Sequence, residues 1–220
     1  MENKKLLILG GSGGCGKWAV KIAQERGFQV RVLIRPETRY NAPEGVEVLR
    51  GEVLDKDALD NAMKGQDAVI SCLGIKRKSP ANPWSKVVSP SNLAQSSGKN
   101  IVDSMKKHQV NRIVVVSAAG VGNSINKVSP LMRLIIRNSN VQITFNDFDN
   151  MEQILAKSNI DSLAVRPVGL VDKQQNKSAS LVNRFTMGSQ ISKRDVATWM
   201  LDAIERPDPF TTKTEMIGWS

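Results

Sequence analysis

The sequence predicts a single α/β domain over residues 1–220, with a doubly wound, mostly parallel sheet that carries helices on both faces. Three observations favour this fold class. Short apolar runs alternate with helix-like segments along the chain, and the runs are nearly continuous, as expected for strands buried on both faces. A glycine-rich turn follows the first run. The length suits one domain with a full core, and no linker or internal repeat divides the chain.

Each expected element has a local signal. Apolar or β-branched runs that end at Gly, Pro or a charged residue predict strands at about 5–9, 29–34, 46–51, 68–73, 112–117, 162–166 and 215–217. Helical periodicity and terminal glycines predict helices at about 14–26, 58–64, 91–108, 146–158 and 193–205. We expect Asp57 to cap the second helix and Asn146 or Asp147 to cap the fourth. Residues 119–146 show no clear period, so we expect a substrate loop or lid there.

The first turn is the most specific motif. Five glycines lie within residues 10–16, between the first strand and the first helix. The order strand, glycine turn, helix, strand is typical of dinucleotide binding, because the backbone can approach a pyrophosphate that also meets the helix N-terminus. The predicted phosphate contacts are Gly10, Ser12, Gly13, Gly14, Cys15 and Gly16.

The end of the second strand indicates which dinucleotide. Proteins that bind NAD usually place Asp or Glu there, but this chain has Arg35, with Arg39 one turn later. Two guanidinium groups bind a 2′-phosphate through charge-assisted hydrogen bonds, whereas a carboxylate repels it. We therefore predict NADPH as the coenzyme; the alternative is that both arginines are only solvated.

Other predicted ligand residues follow from topology. Ligands of such sheets bind at the carboxyl ends of the strands, near the point where strand order reverses. The segments expected at that edge, besides the glycine turn and Arg35, are 51–53, 74–75, 117–119 and 167–169.

The groups that usually protonate a carbonyl substrate are missing. Tyr40 is the single tyrosine, and Glu44, not a lysine, lies four residues on. His108, the single histidine, ends a helix and is expected on a solvated face. Ser117 remains as the candidate catalytic residue: its hydroxyl binds the nicotinamide carboxamide or the acceptor, or it only bonds backbone. Without a strong acid, the expected acceptor is a conjugated ring system such as a flavin or a linear tetrapyrrole.

Composition limits the partners. The formal charge of +10 favours anionic ligands, but the basic residues are scattered without interleaved aromatics, so nucleic-acid binding is disfavoured. No signal peptide, membrane span or Cys/His metal cluster is apparent, and the two cysteines do not suggest disulfides. We expect a cytoplasmic protein. Cys15 at a helix N-terminus is either a small residue that fits the turn or a thiol of lowered pKa.

The chain resembles the atypical short-chain dehydrogenase/reductase group with the NmrA-like NAD(P)-binding fold, and within it the NADPH-dependent flavin reductase/biliverdin-IXβ reductase family. The resemblance spans nearly the whole length. It is carried by Gly10-x-x-Gly13-x-x-Gly16, Val32-Leu33-Ile34-Arg35, Gly51-Glu52-Val53, Val114-Val115-Val116-Ser117-Ala118 and Ile191-Ser192-Lys193-Arg194-Asp195. It implies a monomeric oxidoreductase that binds NADPH and reduces an anionic planar acceptor, a flavin or biliverdin, with few essential acids.

The resemblance also assigns residues. It implies adenine contacts at Glu52 and Val53, although the family more often has Asp at position 52. It implies ribose and pyrophosphate contacts at Leu73, Gly74 and Ile75, the nicotinamide beside Ser117, and a covering segment formed by Pro167, Val168 and Gly169. Human-type members of the family carry histidine at position 169, so any role of that histidine is absent here.

Two other functions compete with this reductase. One is a non-catalytic NmrA-like NADP(H) sensor that regulates a partner protein, which would also lack strong catalytic acids and bases. A sugar epimerase or carbonyl reductase would need the missing Tyr/Lys pair.

Overall fold

The computed structural model describes residues 4–173 and 175–220. The strands are β1 Lys5–Leu9, β2 Gln29–Ile34, β3 Glu47–Arg50, β4 Ala68–Ser71, β5 Arg112–Val116, β6 Asp161–Pro167, β7 Gly169–Val171, β8 Ala179–Leu181, β9 Gln190–Ser192 and β10 Thr214–Trp219. The helices are α1 Gly14–Glu25, α2 Lys56–Met63, α3 Leu93–Lys107, α4 Pro130–Arg137, α5 Val141–Ala156 and α6 Lys193–Glu205, with a 3₁₀ helix at Gly122–Lys127.

Eight strands form one sheet in the order β3-β2-β1-β4-β5-β6-β10-β8. All neighbouring pairs from β3 to β10 are parallel, and β8 joins β10 antiparallel. Strands β7 and β9 form a separate parallel pair. The strand order reverses between β1 and β4, and ligands of such sheets bind at the carboxyl ends of the strands near the reversal. The predicted fold class is confirmed.

The core has one layer on each face of the sheet. Alternate strand residues such as Ile8 and Val114 pack toward α1 and α6, while Leu7 and Val115 pack with residues of α2, α3 and α5. Burial on both faces explains why the strand sequences are continuously apolar rather than alternating. Within residues 4–173 and 175–220, no helix has both the length and the apolar character that a membrane crossing needs.

Residues 119–146 are more regular than the sequence suggests. They contain the 3₁₀ helix, α4 and the first turn of α5. The expectation of an irregular stretch was wrong. The sequence pattern did not indicate α4, because this helix is only two turns long and leaves Leu131 and Leu134 exposed, at 58% and 61% of their full accessibility. Its apolar pattern therefore does not report burial. Whether this segment contacts a substrate stays a prediction.

Both predicted helix caps were also wrong. Asp55 caps α2, since its Oδ1 accepts hydrogen bonds from the backbone N–H groups of Asp57 and Ala58 at 3.0 and 3.2 Å. Helix α5 starts at Val141, so Asp147 lies inside it and serves another helix. The Asp147 carboxylate accepts the backbone N–H groups of Ala94 and Gln95 at 2.8 and 2.9 Å and thereby caps α3.

Candidate functional site

The glycine turn has a backbone geometry that side chains would block. Gly10 has φ +78°, and a Cβ there would lie 2.9 Å from the carbonyl oxygen of Cys72. A Cβ on Gly16 would lie 2.0 Å from the Gly10 oxygen, while the Gly13 N–H donates to that same oxygen at 2.9 Å. The turn is therefore possible only with glycine at these positions, and it leaves open backbone at the start of α1.

Helix α1 presents its N-terminus without a side-chain cap. Gly13 is the N-cap and provides no side-chain hydrogen bond, and no acidic residue lies in the first turn. The N–H groups and the positive end of the helix dipole are therefore available to an anion. These features fit the pyrophosphate of a dinucleotide. Gly14 and Cys15 begin the helix, and Ser12 lies half-buried in the turn before it.

Cys15 is buried beneath this turn. Burial raises the pKa of its thiol from 9.0 to about 11, and the nearby charge of Lys193 lowers it by less. The thiol is therefore protonated at neutral pH, which favours the interpretation of Cys15 as a small residue that fits the turn. Cys15 and Cys72 are both free.

The arginines after β2 lie in an exposed loop. Arg35 Nε lies 3.4 Å from Glu37 Oε1, with both side chains 62% exposed, and Arg39 is exposed as well. Arg50, at the end of β3, donates from Nη1 to the carbonyl oxygens of Thr38 at 2.7 Å and Arg35 at 3.3 Å. No sequence pattern indicated Arg50, which fixes the backbone of the loop that carries Arg35 and Arg39.

The remaining residues predicted to contact the coenzyme lie at the same edge of the sheet. Glu52 is exposed and Val53 half-buried between β3 and α2, next to the loop that carries Arg35. Leu73, Gly74 and Ile75 follow β4 and are half-buried. A Cβ on Gly74 would lie 3.1 Å from the ring of Phe148 in α5, so this loop runs close against that helix.

Ser117 follows β5 and faces α5. It is 4% exposed, and its Oγ donates to Glu152 Oε1 at 2.5 Å. Glu152 is in turn held by Arg166 of β6, which donates from Nε at 3.0 Å and also from Nη2. Arg166 Nη1 donates to Asn123 Oδ1 at 2.7 Å. The Ser117 hydroxyl therefore donates its proton to the buried carboxylate of Glu152, while its oxygen can still accept a hydrogen bond from a ligand.

This network also lines a cleft of about 400 Å³. Residues of α5, β6 and the start of β10 form its walls, including Asp149, Glu152, Arg166 and Thr214. The cleft lies between α5 and the strands β6 and β10, and its lining extends from Asn123 to Ser162 and Lys213. It gives solvent a route to the carboxylate behind Ser117.

The segment after β6 is tightly packed. Pro167 accepts the backbone N–H of Ala119 at 2.9 Å, and Val168 is 3% exposed. A Cβ on Gly169 would lie 2.8 Å from the carbonyl oxygen of Ser189, because β7 runs beside β9. Gly169 therefore has no room for a larger side chain unless the backbone moves.

The tyrosine and the histidine lie away from Ser117. Tyr40 follows the arginine loop at the expected adenosine end and is half-buried, which raises the pKa of its hydroxyl. His108 caps the C-terminus of α3 at the opposite edge of the sheet. The expectation of a solvated His108 was wrong: its side chain is 19% exposed, and Nε2 lies 3.9 Å from Asp60.

Sequence reasoning missed several residues of the site. Glu152, Arg166 and Asn123 are far apart in the chain and meet only in the fold. One signal was present, because Arg166 interrupts an apolar strand, and a buried charge needs a partner. Lys193 belongs to a motif of the resemblance, but its sequence context did not indicate that it lies beside Gly14 of the glycine turn.

The fold and the glycine turn define a Rossmann-type dinucleotide-binding protein. The sequence matches the NAD(P)H-binding family over residues 10–207, and the chain belongs to that family. The family therefore supplies the class of coenzyme, and the geometry of the turn fits it.

Sequence relatives are similar over a shorter stretch. A tobacco isoflavone reductase homolog A622-like protein is 35% identical over 83 residues, which is 33% of this chain and 27% of that protein. Eugenol synthase 1 of Petunia hybrida is 34% identical over 83 residues, with the same coverage. The matched stretch thus spans about a quarter of these relatives.

Solved structures share the whole fold. A short-chain dehydrogenase/reductase from Veillonella parvula in complex with NADP has a TM-score of 0.77 at 16% identity, covering 98% of this chain and 94% of that one. ChuY, an anaerobilin reductase from Escherichia coli O157:H7, has a TM-score of 0.76 at 19% identity, covering 97% and 96%. At such identities the likeness concerns the fold.

Proposed function

We propose that the protein is an NADPH-dependent reductase whose acceptor is a flavin or a linear tetrapyrrole such as biliverdin. The proposal depends on two features that lie at one edge of the sheet. One is the glycine turn, with its uncapped helix N-terminus and the nearby arginine loop. The other is Ser117, whose hydroxyl already donates its proton to Glu152. The first suits a phosphorylated dinucleotide. The second suits an acceptor that needs no strong acid. The reductase names of several relatives and neighbours support the same class of reaction.

The role we assign to Ser117 follows from its hydrogen bond. Bound NADPH would supply the hydride, and Ser117 would orient either the nicotinamide carboxamide or the acceptor by accepting a hydrogen bond. Glu152 is hydrogen-bonded by both Ser117 and Arg166, so we assign it the role of holding the Ser117 hydroxyl in place. Conjugated acceptors spread the incoming charge over the ring and take a proton from solvent.

The charge around the edge favours an anionic acceptor. Cationic side chains lie after β4 and in the segment around α4: Lys76, Arg77, Lys78, Lys127 and Arg133. Arg77 donates to the carbonyls of Pro80 and Asn82, and Arg133 to those of Asn126 and Val128, so these two charges are held in place. Exposed charges contribute roughly 0–1 kcal/mol each and are screened by salt. We expect them to affect mainly the Michaelis constant.

The test is NADPH oxidation with FMN, FAD, biliverdin isomers, quinones and simple aldehydes as acceptors. Turnover with FMN or biliverdin, which weakens as salt is added, is the expected result. Activity confined to aldehydes or ketones would contradict the proposed acceptor class.

A second candidate is a non-catalytic NADP(H) sensor. The hydrogen bond that commits the Ser117 proton to Glu152 favours it, since such a site can bind nicotinamide without promoting chemistry. NADPH binding without oxidation by any of the acceptors would establish the sensor and refute the reductase.

A further inference from the structure

Lys193 lies directly over the glycine turn. A Cβ placed on Gly14 would meet the Lys193 side chain at Cδ (2.7 Å), Cε (3.0 Å) and Nζ (3.3 Å), so the lysine stem covers the first residue of α1. The lowering effect of the Lys193 charge on the Cys15 pKa shows the same proximity. The side chain is 28% exposed, so the ammonium is neither buried in the core nor free in solvent.

The small β7–β9 sheet brings the lysine there. Val171 pairs with Ser192 at the end of this sheet, so the next residues, Asp172 and Lys193, are neighbours. Lys193 Nζ binds Asp172 Oδ1 at 2.7 Å, and the Asp172 side chain is 86% exposed. Ser192 caps α6 through the N–H of Asp195 at 3.0 Å, so α6 does not need the lysine for its own N-terminus.

The position is electrostatically unfavourable for a cation on its own. Helices α1 and α6 pack together, and both have their N-termini at this edge, where the helix dipoles are positive. Asp172 offsets the Lys193 charge, but an ion pair with so exposed a partner is weak. A pyrophosphate on the turn would offer two negative charges beside the N–H groups of α1, which is a better partner for the ammonium.

We propose that Lys193 is a coenzyme-binding residue that contacts the pyrophosphate of NADPH and leaves Asp172 to do so. The exchange would join the covering segment 167–169 to the phosphates, since β7 connects Gly169 to Asp172. The proposal rests on dinucleotide binding at the glycine turn, but it does not depend on which acceptor is reduced.

Equilibrium titration with NADPH and with adenosine 2′-monophosphate tests the proposal, because only NADPH carries the pyrophosphate. Lys193→Met should weaken NADPH binding about tenfold, as for loss of a charge-assisted contact, and leave adenosine 2′-monophosphate binding unchanged. Asp172→Asn should tighten NADPH binding about twofold to fivefold, because the competing carboxylate is gone. Lys157→Met, the same charge change at the C-terminal end of α5, is the control.

Three results would overturn the inference. One is an unchanged NADPH dissociation constant in folded Lys193→Met protein. Another is an equal loss for both ligands, which would indicate a structural effect. The third is weaker or unchanged NADPH binding in Asp172→Asn, a variant that also decides the matter if Lys193→Met does not fold. A wild-type protein that binds NADPH but reduces no acceptor would refute the proposed function alone, whereas one that binds no NADPH would refute both.

Discussion

Arg50 and Glu37 show how single residues shape the coenzyme end of the site. Arg50 bonds the carbonyl oxygens of the loop that carries Arg35, so that loop is ordered before any ligand arrives. Glu37 partly neutralises Arg35 from the same loop. A 2′-phosphate would therefore have to displace a weak surface pair, which reduces its net gain only slightly.

The first prediction concerns coenzyme preference. Arg35→Ala should weaken NADPH binding by about tenfold or more and leave NADH binding unchanged, because a charge-assisted contact is worth on the order of 1.5–3 kcal/mol. Titration of wild type and variant with both nucleotides measures the effect. Glu37→Gln removes the carboxylate that pairs with Arg35 and should therefore have the opposite effect, stronger NADPH binding. Equal NADPH and NADH affinities in the wild type would contradict the assignment of the arginine loop.

The second prediction concerns Ser117. Ser117→Ala should reduce turnover only modestly, well short of the ~10²–10⁴-fold loss that removal of a general acid causes. The reason is that its proton is already donated to Glu152. Steady-state kinetics with FMN, combined with NADPH titration, separates turnover from coenzyme binding. A fall of several orders of magnitude at unchanged NADPH affinity would show that Ser117 is the acid.

At the scale of elements, the helices of the α3/α5 layer are joined by polar contacts as well as by apolar packing. Asp147 is 3% exposed and connects the middle of α5 to the N-terminus of α3. Phe148, the next residue, contacts the Gly74 loop at the coenzyme edge. The position of α5 is thus fixed both toward the core and toward the site.

The third prediction concerns this helix junction. Asp147→Ala should lower the free energy of unfolding by about 1–3 kcal/mol, because the buried N–H of Ala94 and the partly buried N–H of Gln95 lose their acceptor. Urea denaturation measures the change. Asp149→Ala is the control, since Asp149 in the same helix only accepts an i,i+4 hydrogen bond from Gln153 at 2.9 Å. A loss no larger than that of the control would show that water replaces the Asp147 carboxylate.

At the scale of the whole molecule, an ion pair and a hydrogen bond join the C-terminal strand to the last helix. Glu215 of β10 accepts from Trp199 Nε1 at 2.7 Å and from Arg206 at 2.6 and 3.0 Å. Burial acts to raise the pKa of Glu215, but the hydrogen bonds from Arg206 and Trp199 outweigh it and hold the pKa below its usual 4.5.

The fourth prediction is an acid dependence of stability. Because the Glu215 pKa is lower in the folded protein than in the unfolded chain, its contribution is present above pH 4.5 and is lost as pH falls through the folded pKa. Glu215→Gln should therefore be less stable than wild type at neutral pH, and this difference in stability should shrink as the pH falls below 4.5. Thermal unfolding at several pH values measures this. A stability difference between wild type and Glu215→Gln that does not change with pH would mean that the Glu215 charge contributes nothing to stability.

The fold class, the order of most elements and the glycine turn could be predicted from the amino-acid sequence. These features follow from local rules: apolar runs report burial on both faces, and a turn with positive φ and close backbone contacts requires glycine. The roles of Gly10 and Gly16 in the turn could be predicted because they depend on neighbours within one strand–turn–helix unit, whereas the role of Arg35 stays a prediction.

Contacts between side chains from different elements could not be predicted and are seen only in the folded protein. Glu152, Arg166 and Asn123 come from three elements, and Lys193 reaches Gly14 from the far end of the chain. No local pattern encodes such pairs, since their energies depend on distance and burial in the folded state rather than on spacing along the chain. For the same reason Asp147, which its sequence context marks as the cap of its own helix, serves as the cap of another.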